Sequence, residues 1–194
     1  IEAMGTVIRS WLTGNQRWGS PVFLAGESYG TTRAAGLAAH LLEKGISLNG
    51  VFLISTILNF QTARFARGND LPYAVFLPTY TAIAHYHKRL PAALQGSLET
   101  AIAEARDYAA GEYQAVLYKG DALTAPERQK AIARLARLTG LNPAFIDRSN
   151  LRIEIQRFCK ELLRDKGLTV GRLDGRLTAA GDGSPAAERP EFDP

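Results

Sequence analysis

The chain has 194 residues, 46% of them apolar and 22% charged, with a formal net charge of +4. That supports one sizeable core and argues against several large domains. The basic residues are scattered, as at Arg128, Arg134, Arg137 and Arg152, so no clustered basic face for nucleic acid is expected. No apolar run reaches the roughly 20 residues that span a bilayer, so no membrane partner is expected either.

Ile1, Met4, Ile8, Trp11 and Leu12 recur at helical spacing, and Gly14 and Asn15 end the pattern. The apolar run "PVFLA" from Pro21 then reads as a strand buried on both faces of a parallel sheet. Thr31 to Lys44 is rich in Ala and Leu and closes at Gly45, a helix with a glycine stop. "GVFLIST", Gly50 to Thr56, is a second buried strand. Strand, helix and strand within about 35 residues make a βαβ unit, which predicts parallel pairing.

After Asn59 the character changes. Gln61 to Pro78, with Gly68, Asn69, Pro72 and Pro78, reads as irregular. Helices are predicted over Thr79 to Leu90, over Ser97 to Tyr118 and over Leu151 to Asp165. Thr124-Ala-Pro-Glu127 is a capping box, so a further helix starts there and runs to Leu138. "LTVGRLDGRL", Leu168 to Leu177, reads as a short strand or hairpin. The composition of residues 179–194 predicts a mobile loop. The expected organisation is an α/β piece over 1–60, a mainly helical insertion over 61–178, and a tail. The chain opens at Ile1 and closes on that polar tail, which reads as a piece of a longer protein.

The chemistry concentrates at Gly26-Glu27-Ser28-Tyr29-Gly30, a G-x-S-x-G pattern. A predicted strand precedes it and a predicted helix follows. That is the arrangement in which a serine on a strained turn projects its hydroxyl above a sheet. Gly26 and Gly30 are expected to relieve clashes around the serine. The helix N-terminus is expected to favour a developing oxyanion. Phosphate-loop and dinucleotide glycine patterns are absent, and no cofactor or metal site is expected. Cys159 is the single cysteine, has no metal-ligand spacing around it, and reads as a small buried apolar residue.

"GESYG" after an apolar strand resembles the serine carboxypeptidase family, α/β-hydrolases that remove C-terminal residues from peptides. "NQRWGSPVFLAGESYG" and "GVFLIST" are similar to its bacterial members. The resemblance implies a partial α/β-hydrolase core with a helical lid, a peptide substrate, and export to the periplasm or secretion. It makes Ser28 the nucleophile and gives half of the oxyanion hole to the Tyr29 backbone N–H. It also makes Glu27 a substrate-binding carboxyl that shares a proton with a second glutamate. The other reading of Glu27 is a solvated carboxylate at a helix start. Two positions depart from the family pattern. Thr31 stands where a glycine is usual, and Ser55-Thr56-Ile57-Leu58-Asn59 replaces Gly-Asn-Gly.

A serine nucleophile needs a histidine base and an orienting carboxylate. His40 lies about three turns along the helix from Ser28. His85 and His87 belong to the helical insertion and read as partly exposed helix residues. Asp174 and Asp193 do not follow a buried strand. The expectation is therefore that this chain by itself does not turn over. Competing readings are an esterase or acyltransferase on the same scaffold, and a hydrolase-like binding domain without catalysis. Tyr73, Phe76 and Tyr80 could supply apolar contacts to a substrate site lined by the lid helices, but their spacing favours helix packing.

Overall fold

The computed structural model describes residues 1–181, a mixed α/β chain. Its internal contacts divide it into two units, Ile1–Phe60 and the chain from Gln61 onward. Among the described residues no helix is long and apolar enough to cross a membrane.

In the first unit, α1 spans Glu2–Gly14, β1 Phe23–Glu27, α2 Tyr29–Glu43 and β2 Gly50–Ile54. The strands pair in parallel, from Phe23 opposite Gly50 to Glu27 opposite Ile54. Asn49 fixes that register at its start. Its side-chain carbonyl accepts from the Val22 N–H at 2.9 Å, and its own N–H donates to the Val22 carbonyl at 2.7 Å. The core of the unit is small: Leu12, Leu37, Leu41 and Ile46, with Ile8, Val22, Leu24 and Leu48 packed against it.

The strands were expected to be buried on both faces, and they are not. Phe23 is 58% exposed, and Val51, Phe52, Leu53 and Ile54 are all exposed. The reason is geometric. A two-stranded sheet has two open edges, and the α1–α2 core takes Leu24 of β1 but leaves Val51 and Leu53 of β2 exposed even though they share its face. On the opposite face Phe23 and Phe52 meet at 6.0 Å between ring centres. The apolar run that signals a buried strand is thus present, and its own unit covers it only in part.

The second unit is mainly helical. It contains α3 (Leu71–Val75), α4 (Leu77–Tyr86), α5 (Ala92–Gln95), α6 (Leu98–Ala110) and α7 (Glu112–Lys119). It continues with α8 (Ala125–Thr139), α9 (Pro143–Arg148), α10 (Ile155–Glu161), and an antiparallel hairpin of β3 (Leu168–Val170) and β4 (Thr178–Ala180). Ala84, Ala101 and Ala105 are fully buried and let α4 and α6 approach closely. Tyr80 stacks on Phe158 at 4.2 Å, and its hydroxyl donates to the Ile153 carbonyl. The Tyr113 hydroxyl donates to the Leu151 carbonyl. Burial pushes both phenol groups well above the usual tyrosine range. Phe65, Tyr73, Phe76 and Tyr80 form a continuous aromatic chain, so the packing role of Tyr73, Phe76 and Tyr80 is the one observed. Cys159 is buried on α10.

Several helix boundaries differ from expectation. The stretch 61–78 contains α3, and Pro72 and Pro78 sit in the first turns of α3 and α4. There a missing N–H costs nothing, so these prolines start helices rather than interrupt them. Pro143 does the same for α9, which the periodicity does not reveal; the Asn142 side chain caps it, accepting from the Ala144 N–H at 2.8 Å. The helix expected over 97–118 breaks at Gly111 into α6 and α7, and Tyr108 stacks on Tyr113 across the break at 5.5 Å. α4 stops at Tyr86, ahead of Lys88 at φ +57°. α10 starts only at Ile155, where the Glu154 carboxylate accepts from the Gln156 and Arg157 N–H groups. Within the expected mobile tail, Ala179 and Ala180 belong to β4; residues 182–194 lie outside the described residues.

The capping box at α8 is formed as expected, with Thr124 and Glu127 bonded reciprocally. The Lys119 ammonium and the Thr124 N–H and hydroxyl hold the Glu127 carboxyl down at about 2. A carboxyl depressed in the folded state stabilises above its ordinary value, and that contribution is lost as pH falls through the folded value. Acid titration followed by far-ultraviolet circular dichroism should therefore show α8 losing cap support between about pH 4.5 and 2. Thr124→Ala should cost about 1 kcal/mol at neutral pH by urea unfolding.

Candidate functional site

Ser28 joins the end of β1 to the start of α2, at φ +51° and ψ −120°. A side chain rarely adopts this region, and holding one there costs of order 1–3 kcal/mol. The surroundings show what holds it. The Ser28 N–H donates to the Ile54 carbonyl at 3.0 Å, which continues the β1–β2 ladder into the turn. The Ser28 carbonyl accepts from the Thr31 N–H at 3.0 Å and from the Thr31 hydroxyl at 2.7 Å.

The turn brings two backbones into contact. A Cβ on Gly26 would lie 2.2 Å from the Gly30 carbonyl oxygen, 2.5 Å from its carbon and 2.9 Å from the Thr31 nitrogen. Only glycine fits at 26. Gly30 differs from expectation, because a Cβ there meets nothing within 4 Å. The close approach is made by the backbone of Gly30 onto Gly26, so the steric requirement falls on one glycine and not on both.

Thr31 stands where the resembled family has glycine, and it has a definite role here. It is buried, and its hydroxyl clamps the strained Ser28 peptide. Thr31→Val keeps the shape and removes that donor. It should cost about 1 kcal/mol by denaturant unfolding.

Around the serine, the Tyr29 N–H is the first of the α2 donors that no intrahelical carbonyl takes. The Tyr29 ring is half exposed, 5.7 Å from the Phe60 ring, and the Arg33 guanidinium lies over it at 5.2 Å. Ser55, the residue after β2, also has positive φ, at +52°. Glu27 is exposed at the end of β1. The other carboxylates of residues 1–60 are Glu2, opening α1, and Glu43, closing α2. Neither shares a hydrogen bond with Glu27, which has the surroundings of a solvated carboxylate beside a helix start.

Each of the three histidines has contacts within its own unit. His40 is the one histidine of residues 1–60, and it lies about 18 Å along α2 from Ser28. Its ring packs on Gly5, where a Cβ would come within 2.6 Å of it. His85 donates from Nε2 to the Gln95 carbonyl at 3.0 Å, and Gln95 answers with its side-chain amide to the His85 carbonyl at 2.8 Å. His87 donates from Nε2 to the Gly175 carbonyl at 2.7 Å. A carbonyl can only accept, so in both rings Nε2 carries the proton. Asp174 is bonded by the Arg176 side chain and N–H, which hold its carboxyl down at about 2. Asp193 lies outside the described residues. Among the described residues no cluster of His, Cys, Asp and Glu could hold a metal.

The structure thus brings Gly26, Glu27, Ser28, Tyr29 and Gly30 into one turn and adds Thr31, Arg33, Phe60 and Ser55, which the motif does not single out. In the sequence Thr31 and Ser55 stand out only as departures from the family pattern, and Arg33 only by its spacing of four residues from Tyr29 on a helix. Comparison of the chain with family models, with curated proteins and with solved structures finds no match to any of them.

Proposed function

We propose that Ser28 is the nucleophile of a serine-type hydrolase of the α/β-hydrolase kind, acting on peptides as a carboxypeptidase. The observation that carries this reading is the turn itself: a serine at φ +51° and ψ −120°, made possible by a glycine whose Cβ would collide with the next backbone. A fold has no stability reason to hold a serine in that conformation, and a nucleophile has one, because the turn presents its hydroxyl to a substrate.

In the proposed reaction the Ser28 Oγ attacks the scissile carbonyl carbon and gives up its proton to a general base. The Tyr29 N–H donates to the oxyanion that forms, supported by the positive end of α2. Collapse expels the C-terminal residue as the amine, leaving an acyl group on Ser28. Water then attacks that ester and releases the shortened peptide. Residues 1–60 supply no base, since their one histidine packs on α1. The reading therefore places the base and its carboxylate elsewhere in the protein. It also assigns the exposed apolar face of β1 and β2 to packing against further α/β core, and the helical unit from Gln61 to the role of a lid.

Fluorophosphonate labelling tests the reading. The complete natural protein that carries these residues should be labelled on Ser28, and Ser28→Ala should lose both label and peptide hydrolysis, the latter by about 10⁴-fold or more. The isolated 194-residue chain should show no Ser28-dependent hydrolysis. Full activity in Ser28→Ala would overturn the assignment.

A further inference from the structure

We infer that Arg33 binds the terminal carboxylate of the substrate and so determines specificity for peptides with a free C-terminus. The inference rests on the reading of Ser28 as a nucleophile, and it names what that site selects.

The geometry begins with spacing. Arg33 follows Tyr29 by four residues on α2, so the two share one helix face. Helical side chains lean toward the N-terminus of their helix. The long Arg33 side chain therefore returns over the first turn, and its guanidinium lies over the Tyr29 ring at 5.2 Å. Tyr29 directly follows Ser28, and Ser28 is the N-cap of the same helix. The positive group is in this way held against the ring of the residue that follows Ser28, with the aromatic face limiting its motion.

Charge points the same way. Residues 1–60 contain four basic side chains. Arg9 is on α1, Arg17 precedes β1 and Lys44 closes α2, which leaves Arg33 as the one in the first two turns of α2. Arg33 is exposed, and among the described residues no carboxylate pairs with it. Glu27, the group that the family resemblance would use for this purpose, shares no hydrogen bond with Glu2 or Glu43, the other carboxylates of residues 1–60. A planar guanidinium with open donors matches a carboxylate in two-point geometry, and an amide or ester offers it no charge. The same residue therefore separates the carboxypeptidase reading from the esterase reading.

The test uses the complete natural protein with Ser28→Ala, so that peptide is bound and not consumed. Calorimetry compares acetyl-phenylalanyl-leucine with a free C-terminus and the same peptide as its amide. The acid should bind about tenfold more tightly than the amide. Adding Arg33→Gln should lower affinity for the acid to the level of the amide and leave the amide within about twofold. Arg33→Lys should retain part of the preference. Equal affinity for acid and amide with Arg33 present, no binding of the acid, or an equal loss for both peptides in Arg33→Gln would each overturn the inference. The last outcome is that of an arginine that only packs on Tyr29. Labelling of Ser28 is scored separately: loss of that label removes the hydrolase reading, whereas an unchanged preference in Arg33→Gln removes only the role of Arg33.

Discussion

Gly26→Ala is expected to destabilise the first unit by about 3 kcal/mol, the upper part of the range for forcing atoms into a filled site. The added methyl would lie 2.2 Å from the Gly30 carbonyl oxygen and 2.5 Å from its carbon. Neither atom can rotate away as a side chain would, because both belong to the first turn of α2. Relief requires opening the turn, which breaks the bonds from Thr31 to the Ser28 carbonyl and from Ser28 to Ile54. The core of this unit is four buried residues, so little remains to absorb the loss. Gly30→Ala is the matched control. Its methyl meets nothing within 4 Å, and alanine is the better helix former, so stability should be unchanged or slightly raised. Urea unfolding of the two variants side by side checks both. Equal stability of Gly26→Ala and Gly30→Ala would contradict the close approach of the two backbones.

Phe158→Ala should cost about 3–5 kcal/mol in the second unit, the usual range for emptying a buried aromatic site. Phe158 is fully buried and stacks on Tyr80, which is 2% exposed. Removing the ring strips one face of Tyr80 of its contacts. It also loosens the element that holds the Tyr80 hydroxyl on the Ile153 carbonyl. Leu135, Ile146 and Ile153 of the same core come from separate segments and are themselves buried, so the core has little freedom to close over the space. Phe158→Leu should recover more than half of the loss. Thermal unfolding should show the alanine variant melting about 10 °C or more below the parent. A shift of only a few degrees would mean that the site collapses.

Local signals were legible where one residue type has one physical use. The capping box at Thr124 and Glu127 started α8 where the letters placed it, because both groups of that pair are satisfied within one turn. Glycine with apolar periodicity marked α1 and α2 within a few residues, and the two apolar runs became parallel strands in the expected order. Proline misled, since it stands equally in loops and in first turns. Pro72, Pro78 and Pro143 all took the second role. Gly111 ended a helix that periodicity carried straight through, because the stacking of Tyr108 on Tyr113 rewards the break and no local rule records that contact.

The sequence by itself determined that a serine would sit between two glycines on a strand-to-helix turn, because strand, turn and helix each follow from residues close together in the chain. It did not determine which glycine the turn requires, since that depends on how closely two backbones pass. Nor did it reveal the burial of the strands, for an apolar run specifies what would be buried and not what covers it. The tertiary structure decided that Gly26 alone is constrained, that Thr31 clamps the serine and that Arg33 leans over Tyr29. It also decided that His40 turns to Gly5 and away from the hydroxyl. Each of these is set by a distance across the fold, which spacing along the chain does not contain.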